Sequence, residues 1–183
     1  MKQFLKQAIL TPRSIGAVIP SSRFLAEKVV SLAQAGAGPE TVFIELGPGT
    51  GAITQPLLKS KRPGQRIIMI EKNSGFLDGL RLLTGSFELL QGCVSELEAT
   101  VDSLGVLGDL VLVSSIPWLS LPTEDREKGQ RALHALMRRM NGVRLIQYTY
   151  TPQSPLVMHG CRSRVVGPVL LNFPPAWIWV YTH

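Results

Sequence analysis

Cysteine and histidine are scarce in this chain. Among 183 residues there are two cysteines, Cys93 and Cys161, which are too few for a disulfide framework. The three histidines do not cluster with the cysteines at the spacing of metal ligands. We therefore expect a cytoplasmic protein without a metal centre.

Long apolar runs are absent as well. No stretch reaches the roughly 18 consecutive apolar residues of a membrane span, so none is expected. Lys6, Gln7 and Arg13 interrupt the apolar residues near the N-terminus, which argues against a signal peptide. Residues 1–10 instead predict a short basic amphipathic helix, which would either pack on the domain or lie in a lipid interface.

Acidic residues are outnumbered by basic ones. With 13 acidic and 19 basic side chains the net charge is +6, and the isoelectric point is near 9.7. This charge favours an anionic partner, either a nucleic acid or an anionic membrane surface. The 45% of hydrophobic and 17% of charged residues predict one compact globular domain.

One glycine-rich stretch organises the chain. An apolar run from Val42 to Leu46, interrupted by Glu45, precedes glycines at positions 47, 49 and 51, and residues 52–58 predict a helix start. A buried strand, a glycine turn and a helix in this order are typical of nucleotide binding. The spacing alone also fits a dinucleotide site, with Glu71 as the ribose-binding acid. Glu45 favours another ligand. A carboxylate buried there needs a cationic or hydrogen-bonding partner. It would repel a pyrophosphate and attract an ammonium group.

Alternating strand and helix patterns predict the remaining fold. Strands are expected at 42–46, 66–71, 87–91, 108–115 and 143–150, and a final hairpin at 164–172 and 177–182. Helices should lie between them, including one that Thr123 caps, and another over 23–35 that Ser22 caps. The pattern indicates an α/β, Rossmann-like, doubly wound and mostly parallel seven-stranded sheet with a C-terminal antiparallel hairpin. We expect a single domain over 1–183, with N-terminal helices in 1–36 and the Rossmann-like core in 40–183.

The glycine turn resembles the first motif of class I S-adenosylmethionine-dependent methyltransferases, in which three alternate glycines follow an acid. The matching segment runs from Glu45 to Gly51. The resemblance implies S-adenosylmethionine as cofactor, with its ammonium group on Glu45 and its ribose on Glu71. Adenine would meet backbone groups and apolar walls, because Cys93 stands where this class often has an acid. The predicted cofactor-binding residues are Glu45, Gly47, Gly49, Thr50, Gly51, Glu71, Lys72, Gly92, Cys93, Val94 and Ser114.

The exit of the fourth strand is the predicted acceptor site. We expect an acceptor pocket formed by Ser115, Pro117, Trp118 and Tyr148. Methyl transfer from a sulfonium needs alignment, a neutral nucleophile and exclusion of water, but no metal and no covalent intermediate. Tyr148, Tyr150 and His159 are candidates for removing a proton from an acceptor amine.

Two families share this pattern. The ribosomal RNA adenine dimethyltransferases have a similar glycine turn, but their fourth motif has an asparagine that this chain lacks, and they carry a C-terminal helical domain. The bacterial phospholipid N-methyltransferases resemble nearly the whole chain, including Ile15 to Ser22, Ser114 to Pro122 and Asn172 to Ala176. Ser115, where that family tends to have glycine, and Trp118 are departures in the acceptor region.

The leading interpretation is an S-adenosylmethionine-dependent N-methyltransferase of a phospholipid amine headgroup, which converts phosphatidylethanolamine towards phosphatidylcholine. Such an enzyme would be cytoplasmic and peripheral at the inner membrane surface, with the anionic membrane as its partner. A methyltransferase of nucleic acid or of a soluble small molecule is the second interpretation. A catalytically idle S-adenosylmethionine-binding protein and a nicotinamide enzyme are further alternatives.

Overall fold

The computed structural model describes residues 21–183. The predicted amphipathic helix of residues 1–10 lies outside the described residues, as does most of the segment from Ile15 to Ser22. Within the described part of the chain, no helix has the length and apolar character needed to cross a lipid bilayer.

Residues 21–183 contain five α-helices and seven β-strands. The helices are α1 (Arg23–Gln34), α2 (Thr54–Ser60), α3 (Ser74–Arg81), α4 (Leu97–Ser103) and α5 (Thr123–Arg139). The strands are β1 (Val42–Leu46), β2 (Arg66–Glu71), β3 (Glu88–Gln91), β4 (Leu110–Ser114), β5 (Arg144–Thr149), β6 (Arg162–Val169) and β7 (Ala176–Thr182). Short 3-10 turns follow β3 at Val94–Glu96 and β4 at Trp118–Ser120. The seven predicted strands are confirmed, with small shifts at their ends.

All seven strands form one sheet in the order β3-β2-β1-β4-β5-β7-β6. Strands β1 to β5 pair in parallel, whereas β7 is antiparallel to both of its neighbours. This confirms the predicted doubly wound sheet with a C-terminal antiparallel hairpin. The carboxyl ends of β1 to β5 lie along one border, which we call the carboxyl edge. Because β7 runs the opposite way, the turn of residues 170–175 between β6 and β7 lies at this edge too.

Hydrophobic layers cover both faces of the sheet. Helices α4 and α5 contribute to the layer on one face, and α1 and α2 to the layer on the other. Because side chains alternate along a strand, β1 directs Ile44 and Leu46 into the first layer and Phe43 into the second. Glu45 shares the face of Phe43 and is fully buried. The sequence of β1 thus places a carboxylate inside the protein, directly before the glycine turn.

The predicted caps have different outcomes. The Ser22 hydroxyl caps α1 as expected, because it accepts a hydrogen bond from the Leu25 N–H at 3.2 Å. The prediction that Thr123 caps α5 is wrong, since Pro122 holds the N-cap position and Thr123 is the first helical residue. Glu124 and Asp125 complement the first turn of α5 instead, where the helix dipole favours negative charge.

Candidate active site

A cavity of about 220 Å³ opens at the carboxyl edge, where the chain leaves β1, β2, β3 and β4. The strand order reverses between β1 and β4, and open α/β sheets bind ligands at such a point. Seven of the residues predicted to bind the cofactor line this first cavity: Gly47, Gly49, Glu71, Lys72, Gly92, Cys93 and Val94. Ser115 and Pro117, predicted for the acceptor side, line it as well.

The glycine turn brings backbone groups to the first cavity. Gly47 and Gly49 have φ of +67° and +56°, which side chains other than glycine rarely adopt. A Cβ on Gly49 would have no atom within 4 Å, so the backbone at this position is open to a ligand. A Cβ on Gly47 would come within 3.1 Å of the Ile116 side chain. The first glycine therefore allows the β1 and β4 exits to approach each other.

Gly51 has a different role from the one expected. The sequence predicts that it lets the following helix pack on the strand. In the structure a Cβ at this position would meet the side chains of Leu83 at 3.1 Å and Leu80 at 3.4 Å. Gly51 therefore makes room for leucines at the end of α3, and it does not line the first cavity. Thr50 is exposed and borders a small separate depression beside Tyr148.

Glu45 lies behind the first cavity and does not line its wall. Its side chain is 0% exposed, and its carboxylate accepts hydrogen bonds from the Thr54 hydroxyl at 2.7 Å and the Ser115 hydroxyl at 3.3 Å. These two hydroxyl groups are the hydrogen-bonding partners that a buried carboxylate requires. Desolvation raises the pKa of Glu45 from 4.5 to about 7, despite the opposing effect of the two hydroxyls. Its predicted contact with an ammonium group stays a prediction.

Glu71 is fixed by backbone donors at the end of β2. Its carboxylate accepts hydrogen bonds from the Gly49 N–H at 3.0 Å and the Asn73 N–H at 2.8 Å, and the side chain is only 6% exposed. Lys72, the next residue, does not pair with this carboxylate, because its ammonium group lies 3.8 Å from the Asp125 carboxylate. A carboxylate oriented in this way can accept hydrogen bonds from two neighbouring hydroxyl groups.

Ser114 and Trp118 lie deeper than the sequence suggests. Ser114 is 0% exposed and does not line the first cavity. Its hydroxyl accepts a hydrogen bond from the Trp118 indole N–H at 3.0 Å, and the Gln147 carbonyl oxygen accepts from the same N–H at 2.8 Å. Trp118 is only 1% exposed and packs closely over Gly129 of α5. The indole is thus a core group, and Trp118 also contributes to the wall of the second cavity described next.

A second cavity of about 140 Å³ adjoins the first. It lies between the exits of β4 and β5, and the segment from Ser115 to Pro117 lines both cavities. Tyr148 lines the second cavity and receives a hydrogen bond from the Ser21 hydroxyl at 3.0 Å. Tyr150 also lines it, and burial raises its pKa to about 12. The Tyr150 hydroxyl is buried and has no hydrogen-bond partner within residues 21–183.

The structure adds residues that sequence reasoning missed. Ile70, Phe76 and Leu121 form apolar walls of the first cavity, and Asp125 and Lys128 come from α5. Only an apolar residue at the end of a predicted strand, such as Ile70, carries a signal in the sequence. His159 is exposed and lines neither cavity.

Several known proteins are similar to this chain, although no family profile matches it. It is 37% identical over 95 residues to the ribosomal RNA small subunit methyltransferase A of Caulobacter vibrioides, covering 50% of this chain and 34% of that protein. It is 31% identical over 86 residues to the ornithine lipid N-methyltransferase of Singulisphaera acidiphila, covering 45% of each. Among solved structures, an S-adenosylmethionine-dependent methyltransferase from Anabaena variabilis matches with a TM-score of 0.59 at 16% identity, covering 99% of this chain and 92% of that one.

The fold is therefore the Rossmann-like fold of class I S-adenosylmethionine-dependent methyltransferases. The chain also has methyltransferases among its homologues in sequence. It spans less than half the length of these two curated relatives. One of them is named for ribosomal RNA and the other for a lipid, so the two names point to different acceptors.

Proposed function

We propose that this chain is an S-adenosylmethionine-dependent N-methyltransferase acting on the amine headgroup of a phospholipid. Phosphatidylethanolamine, converted stepwise towards phosphatidylcholine, is the substrate we propose. The observation that carries the proposal is the pair of adjoining cavities, which share the segment from Ser115 to Pro117. An in-line displacement needs a donor site and an acceptor site that meet at one point.

The residues of the first cavity would suit the cofactor. Glu71 would accept hydrogen bonds from the two ribose hydroxyls, because Gly49 and Asn73 already orient its carboxylate. Ile70 and Phe76 would contact the adenine ring through apolar surface. The open backbone at Gly49 would face the methionine portion. The bound cofactor would supply an electrophilic methyl group on a sulfonium.

The second cavity suits a neutral amine. None of its lining residues carries a formal charge, and an apolar lining lowers the pKa of an amine, which favours the nucleophilic form. Ser115 and Pro117 would exclude water from the point where the two cavities meet.

A nucleic-acid acceptor is the second candidate. The similarity to a ribosomal RNA methyltransferase and the net charge of +6 favour it. RNA binding depends on several cationic contacts to phosphates, however, and no lysine or arginine lines the second cavity. A lipid amine needs mainly a dry cavity beside a membrane surface, so we give it priority. The enzyme would act at the cytoplasmic face of the membrane.

The test is transfer of labelled methyl groups from S-adenosylmethionine to vesicles containing phosphatidylethanolamine and, separately, to total RNA. We expect label in the lipid fraction. Glu71→Gln should lower the rate at limiting cofactor at least about tenfold, since hydrogen bonds to a charged group contribute roughly 1.5–3 kcal/mol. Glu88→Gln, which changes an exposed glutamate on β3, is the matched control and should have little effect. Label only in RNA would overturn the lipid substrate, and no label in either would overturn both.

A further inference from the structure

Three large apolar side chains project from the turn between β6 and β7. They are Leu170 (73% exposed), Leu171 (67%) and Phe173 (72%). Asn172 between them is only 2% exposed, and its side chain accepts a hydrogen bond from the Ser22 N–H at 2.8 Å and donates one to the Pro174 carbonyl at 2.7 Å. Asn172 thus anchors the turn while its neighbours remain in solvent. We call residues 170–173 the apolar tip.

The apolar tip lies at the carboxyl edge, close to the second cavity. Strand β7 begins beside the end of β5, where Trp177 pairs with Thr149. Ser22, which binds the tip, follows Ser21, whose hydroxyl donates to Tyr148 in the wall of the second cavity. The tip and the proposed acceptor site are therefore connected through two hydrogen bonds and one peptide unit.

Two other exposed apolar side chains lie at the same edge. Phe24 is the second residue of α1, directly after the tip contact, and Leu119 follows the β4 exit. The four remaining large exposed apolar residues of the described chain lie elsewhere: Leu82 after the far end of α3, Leu107 before β4, Val157 in the segment that packs along α5, and Val165 within β6. Five of the nine large exposed apolar residues of the described chain thus lie on the side of the molecule where the cavities open, and three of them form the tip. Such a concentration marks an interaction surface.

Charge on this part of the chain complements an anionic surface. No aspartate or glutamate follows Glu127 in the sequence, so the tip, the β5 exit and the whole hairpin carry no negative side chain. Arg23 lies beside the tip contact, with its guanidinium carbon 4.8 Å from the centre of the Phe24 ring. Basic groups next to exposed aromatic and aliphatic groups are typical of proteins that bind anionic lipid interfaces.

We propose that the apolar tip inserts into the surface of an anionic lipid bilayer and holds the second cavity against the headgroups. This inference rests on the proposed lipid substrate. A lipid interface fits the tip better than a protein partner does, because a stable protein interface buries about 800 Å² on each side. A few side chains, in contrast, suffice for insertion to a depth of about 5–10 Å.

Vesicle flotation of the full chain tests the tip directly. The vesicles contain phosphatidylcholine with or without phosphatidylglycerol. Leu170→Ser together with Phe173→Ser should weaken partitioning to the anionic vesicles at least about tenfold, because both side chains leave water on insertion. The control is Leu82→Ser together with Leu107→Ser, which removes two leucines that are even more exposed but lie outside this edge, and it should leave partitioning unchanged. Equal partitioning of both double variants would overturn the proposal.

Activity separates this inference from the proposed function. The tip variant should lose methyl transfer to vesicles but keep it towards a short-chain, water-soluble phosphatidylethanolamine, with an unchanged melting temperature. If the natural protein binds vesicles through the tip and methylates neither lipid, the proposed function fails while the tip stands. If it methylates both lipids and the tip variant does so equally, the tip proposal fails while the function stands. A tip variant that changes only the oligomeric state would also overturn the proposal.

Discussion

Replacing Glu45 by glutamine should make the protein more stable at high pH. The pKa of this carboxyl group rises from 4.5 to about 7 in the folded state because burial disfavours its charged form. The folded protein therefore binds this proton more tightly than the unfolded chain. The associated stability is complete below about pH 4.5 and is lost as the pH rises through about 7. One pKa unit corresponds to about 1.4 kcal/mol, so the loss amounts to roughly 3 kcal/mol.

Urea unfolding of the natural protein and of Glu45→Gln across this pH range measures the effect. Glutamine keeps an oxygen that can accept the Thr54 hydrogen bond but has no charge to desolvate. We expect the difference in free energy of unfolding to move in favour of the variant by roughly 3 kcal/mol between pH 4 and pH 8. A difference that stays constant across this range would refute the argument. Glu88→Gln, at an exposed position, supplies the control.

The same carboxyl group should link cofactor binding to protons. A cationic ligand near Glu45 favours its ionised form, so binding below about pH 7 should release a proton. Affinity for S-adenosylmethionine should then rise as the pH approaches 7 and level off above it. In Glu45→Gln the affinity should be weaker and lack this dependence. Calorimetry in buffers of different ionisation enthalpy counts the protons, and proton uptake on binding would contradict the expectation.

Two further substitutions test the support of the acceptor region. Gly129→Ala should lower the melting temperature, because its Cβ would lie 2.8 Å from the Trp118 ring and overpacking costs about 1–3 kcal/mol, while Gly79→Ala has open space and should stabilise α3. An equal rise for both alanine variants would contradict this packing. Trp118→Phe should cost about 1–3 kcal/mol in urea unfolding, because the indole N–H contacts to Ser114 and Gln147 are lost. Unchanged stability would mean that these contacts contribute nothing.

The fold could be predicted largely because its strands are short and apolar. The run from Val42 to Leu46 and the run from Arg66 to Glu71 are buried over nearly all their length, and each is followed by a turn signal. The glycine turn fixed the position of the site for the same local reason. Helix boundaries follow less directly from the sequence, since the residues after Gly51 make turns before α2 begins at Thr54.

The site could be predicted only where neighbours in sequence determine it. The burial of Trp118 depends on Gly129, which lies on a separate helix. The second cavity depends on how the exits of β4 and β5 pack, and its link to Ser21 spans 127 positions of the chain. No local sequence pattern indicates contacts between residues that are so far apart in the chain. The same is true of Glu45, whose burial the strand predicted, but whose partner Ser115 stands 70 positions away.

Ser115 provides a path by which the fully buried Glu45 carboxylate would act on a ligand. Its hydroxyl donates to Glu45 at 3.3 Å and lines both cavities, so its lone pairs remain for a donor in either one. A hydrogen bond to an ionised partner strengthens the acceptor character of the hydroxyl oxygen. An ammonium group in the first cavity or an amine in the second would then interact with the charge of Glu45 indirectly, through the bridging Ser115 hydroxyl. The glycine that the phospholipid N-methyltransferases tend to have here would leave that charge without this relay. We therefore expect Ser115 to couple the two cavities through a single side chain.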